Sequence, residues 1–322
     1  MKLEKILVTG GAGFIGSHIV DWLLADGLEV RVLDNLSSGK KENIQQHLSK
    51  KNLHFMKGDV RDAETVKQAV KDMDAVIHEA ALISVTQSVE NPFLTNEVNV
   101  NGTLNLLKAS SDANIKRFIY ASSCAVYGEP TKLPIKEATP TRPISPYAAS
   151  KVAAENYCKA FHKIYGLQTV SLRYFNVYGL RQTNSPYSGV ITIFINRLLN
   201  GKPTIIYGDG AQTRDFTHVQ DVAQASILAL HAKNVAGEEF NVATGKPTTI
   251  NQLAETLQTL TQKTHLKSKH LDPRLGDIKH SYADISKAKK VLAYTPEINL
   301  EEGLNRLVEW CKKHPQEDGT KT

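Results

Sequence analysis

Within its first sixteen residues the chain runs from an apolar stretch, KILVT, through the glycines of GGAGFIG into an amphipathic stretch, GSHIVDWLLADG. That order of strand, glycine turn and helix constrains the fold more than any other feature. Gly10, Gly13 and Gly16 stand where glycine permits a tight turn, close approach of the backbone to a pyrophosphate and packing of helix on strand. The helix N-terminus that follows favours negative charge. The spacing is GxxGxxG rather than GxGxxG, and a glycine triplet alone reads more readily as a plain turn. The flanking strand and helix make a dinucleotide-binding turn the stronger reading.

The rest of the first half repeats the alternation. Strand-like runs are expected at EVRVLD (29–34), NLHFMKGDV (52–60), AVIHEA (75–80), KRFIYASS (116–123) and QTVSLRYFN (168–176), with helical runs between them. Strands separated by helices pair in parallel through right-handed crossovers, and runs apolar on both faces belong to a covered sheet. The predicted fold is therefore α/β, a Rossmann-type doubly wound parallel sheet spanning 1–176. After Asn176 the rhythm breaks. Residues 177–314 are expected to form a smaller, interleaved C-terminal substrate lobe, with EEFNVAT (238–244) returning to the sheet and 315–322 a frayed tail.

Composition narrows the function classes. At 322 residues, 41% apolar and 22% charged, the chain can bury a substantial core. The net charge of +6 is dispersed, with no basic tract interleaved with aromatics, so anionic small molecules are expected as partners and nucleic acid is not. No apolar run approaches the ~18 residues of a membrane span. MKLEKILVTGGAG enters a strand at once, so no signal peptide is expected. Three widely separated cysteines, Cys124, Cys158 and Cys311, suggest a reducing, cytoplasmic setting. Eleven histidines show no HxxxH or Cys/His ligand spacing, so no metal site is expected.

Asp34 ends the second strand about twenty residues beyond the glycines, where a carboxylate accepts both ribose hydroxyls of an adenosine. It would repel a 2′-phosphate, which points to NAD over NADP. Asp59 similarly ends the third strand, near the adenine.

ISPYAASK (144–151) places Tyr147 and Lys151 four residues apart, on one face of a helix. A tyrosine with a pKa near ~10 is a poor base at neutral pH. An ammonium one turn away, joined by a nicotinamide cation, stabilises its phenolate. YASSCAVYG (120–128) brings Ser123 to another strand end, where its hydroxyl can bond a substrate hydroxyl. Ser123, Tyr147 and Lys151 together read as a proton relay for oxidising a secondary alcohol.

TGGAGFIG, DVRD, HEAA, NVNGT, ASSCAVYG, YAASK and RYFNVYG follow one another along the chain. With them, over roughly residues 5–295, it resembles the extended short-chain dehydrogenase/reductase family, among its nucleotide-sugar epimerases. The resemblance implies that Phe14 and Ile15 cover the pyrophosphate, and that Asp34, Asn35, Leu36, Ser37, Ser38 and Gly39 hold the adenosine ribose. By the same token Asp59 and Val60 flank the adenine, Glu79, Ala80, Ala81, Ile83 and Asn99 line the cofactor cleft, and Phe175 sits by the nicotinamide. Lys151 also reaches the nicotinamide ribose. The implied reaction is inversion at C4 of a UDP-hexose with NAD recycled.

Related 4,6-dehydratases carry an Asp-Glu pair before VYG, where this chain has Cys124 and Ala125, so elimination of water is not expected. Arg214 and Arg274 are implied for the diphosphate, Asp277 for a ribose hydroxyl and Asn176 for the sugar phosphate. Backbone around Ile205 and Tyr207 would hold uracil, with Gly189 and Val190 nearby. Ser281 takes the place of a bulky tyrosine found in some epimerases and leaves room for an N-acetyl group. Ile83, followed by Ser84, stands where some UDP-galactose epimerases carry a lysine, which weakens a strict UDP-glucose assignment. A UDP-glucuronate-acting epimerase or decarboxylase, a plain reductase and a non-catalytic NAD-sensing module stay open as alternatives. Apolar residues on the helices after Asn99 and after Lys151 suggest a homodimer.

Overall fold

Strands β1 (Lys5–Thr9), β2 (Glu29–Asp34), β3 (Leu53–Lys57), β4 (Ala75–His78), β5 (Arg117–Ser123) and β6 (Thr169–Tyr174) correspond to the six expected runs, with β3, β4 and β6 ending two or three residues early. The structure, a computed structural model, describes residues 3–182, 189–273 and 278–314. The six strands and a later one at Glu238–Val242 form a parallel sheet in the order β3-β2-β1-β4-β5-β6 and then the late strand. Alternation along β1 shows why the runs are apolar throughout. Ile6 and Val8 enter one core cluster while Leu7 enters the other, on the opposite sheet face.

Helices α1 (Phe14–Ala25), α2 (Ala63–Val70), α3 (Val85–Glu90), α4 (Pro92–Asn96), α5 (Gly102–Asp112) and α6 (Pro146–Tyr165) connect these strands. The longest, α6, starts at Ser145, whose hydroxyl accepts the Ala148 N–H, with Pro146 in the first turn. It stops at Gly166, which adopts the left-handed conformation that ends helices. Tyr147 therefore sits in the first turn and Lys151 in the second, both against the sheet.

The C-terminal half holds strands β7 (Val177–Tyr178), β8 (Ile205–Tyr207), β9 (Thr213–Arg214), β10 (Thr217–His218), β11 (Glu238–Val242, the late strand), β12 (Thr248–Thr249), β13 (Lys269–Leu271) and β14 (His280–Ser281). Its helices are α7 (Val190–Leu199), α8 (Val219–His231), α9 (Ile250–Leu260), α10 (Ser286–Leu292) and α11 (Leu300–Lys313). The interleaving extends beyond β11. Helix α8 packs on α1, and Val222, Leu230, Ala288 and Leu292 from α8 and α10 join the sheet's core. Helices α7, α9 and α11 build a separate core around Phe194, Leu253 and Leu307. The expected frayed tail, 315–322, lies outside the described residues. Among the described residues, no helix is long and apolar enough to cross a membrane.

Candidate active site at the carboxyl ends of the strands

β1 and β4 are neighbours while their chain connections run in opposite directions, and a crevice opens there, beyond the strand ends. It is a cavity of about 530 Å³ lined by Gly10, Gly13, Phe14, Ile15, Gly16, Asp34, Asn35, Ser37, Ser38, Asp59, Val60, Glu79, Ala80, Ala81, Ile83 and Ser84. These expected cofactor residues, and Ser84 expected on the substrate side, are thus gathered in one place. Leu82, within the 79–83 stretch, and Gly58, in the GDV that ends the third run, also line it, as do Leu33, Asn43, Gln87 and Val98.

The glycine turn is too crowded by surrounding backbone for side chains at Gly10 and Gly16. Gly10 has φ +67°, and a Cβ there would lie 2.7 Å from the Ala80 nitrogen; one on Gly16 would collide with the Gly10 carbonyl. Asp34 accepts the N–H groups of Ala12 (3.0 Å) and Leu36 (2.8 Å). Burial pushes its carboxyl upward, and these two bonds oppose the shift. Each oxygen keeps lone-pair capacity toward the cleft, as a ribose diol requires. Leu36 contributes its N–H rather than its side chain, and Gly39 lies directly against the Asp34 carboxylate. Asp59 receives a two-pronged bond from Arg61 and one from Asn35, and chiefly through Arg61 is drawn down to about 2. Asn99 accepts the Leu82 N–H, donates to its carbonyl and donates to Ser150, tying the 79–84 loop to α6. These features fit NAD.

At the reaction end, Lys151 donates to the Ala121 carbonyl at 2.7 Å, and its ammonium stands 5.9 Å from the Tyr147 ring centre. Lys151 is thus positioned beside the phenol without bonding it. Burial pushes Tyr147 up to about 12, opposed by a hydrogen bond with Ser123. Burial likewise pulls Lys151 down to about 8, opposed by Glu79 and Glu155. Ser123 also caps the short turn after β5 by accepting the Ala125 N–H. Burial pushes the Cys124 thiol up to about 11, so it is no nucleophile at neutral pH.

Phe175 is fully enclosed beside Tyr127, Val126, Ile135 and Ala243, directly after the end of β6. Ile83 lines the cleft mouth and is 72% exposed.

Beneath the relay lies a network that motif reading missed. Glu155, one turn after Lys151, receives Arg173 through Nε (2.9 Å) and Nη2 (2.7 Å), and the Ser122 hydroxyl at 2.5 Å. Its signal was present in the sequence as the third member of a Tyr147, Lys151, Glu155 series at helical spacing.

The sugar-side residues converge less directly. β9 lies between β12 and β14, so Arg214 has Ser281 and Thr248 as its register partners. Ser281 is buried, and Arg214 acts electrostatically on Cys124, placing both near the relay. Asn176 donates to the Asp215 carbonyl (3.3 Å). Ile205 and Tyr207 lie on β8, and Gly189 caps α7, which begins at Val190. Arg274 and Asp277 lie outside the described residues.

The model of the NAD dependent epimerase/dehydratase family matches residues 6–243. A putative UDP-glucose 4-epimerase of Methanocaldococcus jannaschii is 44% identical, covering 96% of this chain and 99% of its own. A UDP-glucuronate 4-epimerase of Thermodesulfobacterium geofontis is 37% identical, covering 96% of each. Among solved structures, a UDP-N-acetylglucosamine 4-epimerase from Methanobrevibacter ruminantium, in complex with UDP-N-acetylmuramic acid, superposes with a TM-score of 0.92 at 46% identity, covering 98% of this chain and 100% of that one. The chain belongs to the NAD-dependent epimerase/dehydratase family of extended short-chain dehydrogenases/reductases, as an enzyme of its UDP-sugar epimerase group with NAD as cofactor.

Proposed function

We propose that the enzyme inverts C4 of UDP-hexoses, accepting UDP-glucose/UDP-galactose and their N-acetyl forms through a transient 4-keto sugar. The observation that carries this reading is the grouping of Ser123, Tyr147 and Lys151 beside a cleft in which Cys124 and Ala125 offer no acid for elimination. NAD, when bound, supplies the hydride acceptor and returns the hydride. Tyr147 takes the proton of the C4 hydroxyl as its carbon is oxidised and gives it back on reduction. Ser123, beside Tyr147, orients that hydroxyl. Lys151 is fixed by the Ala121 carbonyl, and its positive charge favours the Tyr147 phenolate. In the protein alone burial keeps Tyr147 a phenol, so deprotonation awaits the positive charge that the oxidised cofactor adds.

Arg214, Arg274, Asp277, Asn176 and backbone near Ile205, Tyr207, Gly189 and Val190 are the proposed UDP contacts. Small, buried Ser281 beside Arg214 supports acceptance of an N-acetyl group. A second reading, a UDP-glucuronate-acting epimerase or decarboxylase, draws on the 37%-identical relative. Three free cysteines fit a reducing, cytoplasmic setting. A homodimer is also proposed, with a changed footing. Leu106 and Leu107 of α5 are buried, whereas α6 leaves Tyr157, Ile164 and Tyr165 exposed, and Phe93 is exposed on α4, which packs on α6.

NMR of products from UDP-glucose, UDP-N-acetylglucosamine and UDP-glucuronate, incubated side by side, tests the substrate class. The expected products are C4 epimers of the first two, and conversion of the glucuronate alone would overturn the reading. Tyr147→Phe should lower turnover about 10³-fold while retaining NAD. Unchanged turnover would instead leave a cofactor-sensing module.

A further inference from the structure

Beyond Tyr147 and Lys151, a third ionisable group lines the cleft near Lys151, and the proton relay does not use it. Glu79 follows β4, its N–H donating to the Thr9 carbonyl at 3.1 Å, and it lines the cofactor cavity. Its carboxylate accepts the Tyr174 hydroxyl at 2.8 Å, and that oxygen lies 3.0 Å from the Ser226 hydroxyl of α8. Tyr174 is the register partner of Ser123, and β5 runs between β4 and β6. The Glu79–Tyr174 bond therefore spans the strand that carries Ser123 and the Ala121 carbonyl on which Lys151 rests. A neutral amide would accept the Tyr174 hydroxyl equally well without the cost of desolvating a charge. The carboxylate thus calls for a role beyond holding Tyr174.

We propose that Glu79 is a positioning residue for charge, supplying a negative potential at the reaction end that favours oxidised over reduced nicotinamide and keeps Lys151 an ammonium. The oxidised ring carries a positive charge that the reduced ring lacks, so a nearby carboxylate in a poorly screened cleft stabilises the two forms unequally. An enzyme that must begin each turnover with oxidised cofactor is thereby protected from stalling in the reduced form.

The groups facing Glu79 are Lys151 from α6, Tyr174 from β6, Tyr120 from β5 and the Ser226 hydroxyl from α8. His78 precedes it and bonds Thr9 and Thr103, held neutral by burial. Burial raises Glu79 to about 7, while the Tyr174 bond and Lys151 pull it down. Its negative charge is therefore present above neutrality and is lost below.

The inference rests on the NAD relay and on no particular sugar. Its test is the affinity of nucleotide-stripped protein for NAD⁺ and for NADH without sugar, by calorimetry, at about pH 6 and about pH 8.5, either side of that transition. At the higher pH, Glu79→Gln should lower the ratio Kd(NADH)/Kd(NAD⁺) about tenfold relative to wild type, and at the lower pH the two proteins should agree within about twofold. Tyr174→Phe keeps the carboxyl but removes the bond that favours its ionised form, so its transition should move to higher pH. Equal ratios at the higher pH, or a difference that persists at the lower, would overturn the proposal. Failure of the wild type to bind either nucleotide would overturn the cofactor assignment with it. Failure to epimerise a sugar bears on the proposed function alone.

Discussion

Asp34 and Asp215 are both buried carboxylates that accept backbone N–H groups, one lining the cofactor cleft and one next to Arg214 on the proposed sugar side. Asp34 draws its donors from Leu36, two residues on, and from Ala12 in the first glycine turn. Asp215 draws its own from Thr244, Gly245 and Ala283, 29, 30 and 68 residues away, and also accepts the Thr244 hydroxyl. Asp34 is thus held within one βαβ unit, whereas Asp215, on the proposed sugar side, gathers distant loops. A local site tolerates loss of one side chain better than a site that depends on such a hub.

Asp215→Ala should therefore have the largest effect. It leaves four donors without their acceptor, in a pocket where an unsatisfied buried group costs ~1–3 kcal/mol. The loop carrying Thr244 and the approach to Ser281 should loosen together. The expected result is a stability loss of ~3 kcal/mol or more in urea unfolding, a KM for UDP-sugar raised more than about tenfold, and a Kd for NAD changed by less than about twofold. Equal damage to NAD and sugar binding would erase the distinction between the ends.

The same difference governs what was legible in the sequence. Gly10, Asp34, Tyr147 and Lys151 act through neighbours at strand, turn or helix spacing, so pattern alone brought them together. Glu155 shares that helical spacing, but its partner Arg173 lies on β6, and only the sheet order places the two in contact. Asp215 carries no local pattern at all, because its partners are chosen by the folded C-terminal lobe. The burial of Phe175 was illegible for a related reason. Nothing in RYFNVYG tells which side chain turns inward where a strand ends, and the packing against Tyr127 decides it.

Gly39→Ala offers an intermediate test on the cofactor side. A Cβ at this position would lie 2.8 and 2.9 Å from the Asp34 oxygens and 3.0 Å from the Ala12 carbonyl carbon. The Asp34 carboxylate is pinned by two backbone bonds, so it cannot swing away without giving one up. NAD affinity should fall about tenfold, equivalent to ~1.4 kcal/mol, with the KM for UDP-sugar unchanged. A matching rise in that KM would mean that the two ends are mechanically coupled through the sheet.

The smallest effect is expected at Arg61, which holds Asp59 at the adenine side of the cleft through bonds of 3.0 and 2.9 Å. Asp59 is lowered to about 2 in the folded protein, first by the Arg61 side chain and then by the Arg61 N–H and Asn35, against the opposing effect of burial. A carboxyl lowered on folding adds stability that is full above its unfolded value near ~4 and disappears as pH falls through the folded value. Both side chains are substantially open to water, so screening limits the pair to less than ~1 kcal/mol. Arg61→Ala should therefore lower the melting temperature slightly at neutral pH, with the difference from wild type shrinking as pH falls from about 4 toward about 2 and in about 1 M salt. NAD binding at neutral pH should hardly change, since Asn35 and the main-chain N–H of residue 61 still orient the carboxylate. A large loss of NAD affinity would show that this exposed ion pair, and not the backbone around it, shapes the adenine side, and the contrast with Asp215 would then fail where it is easiest to measure.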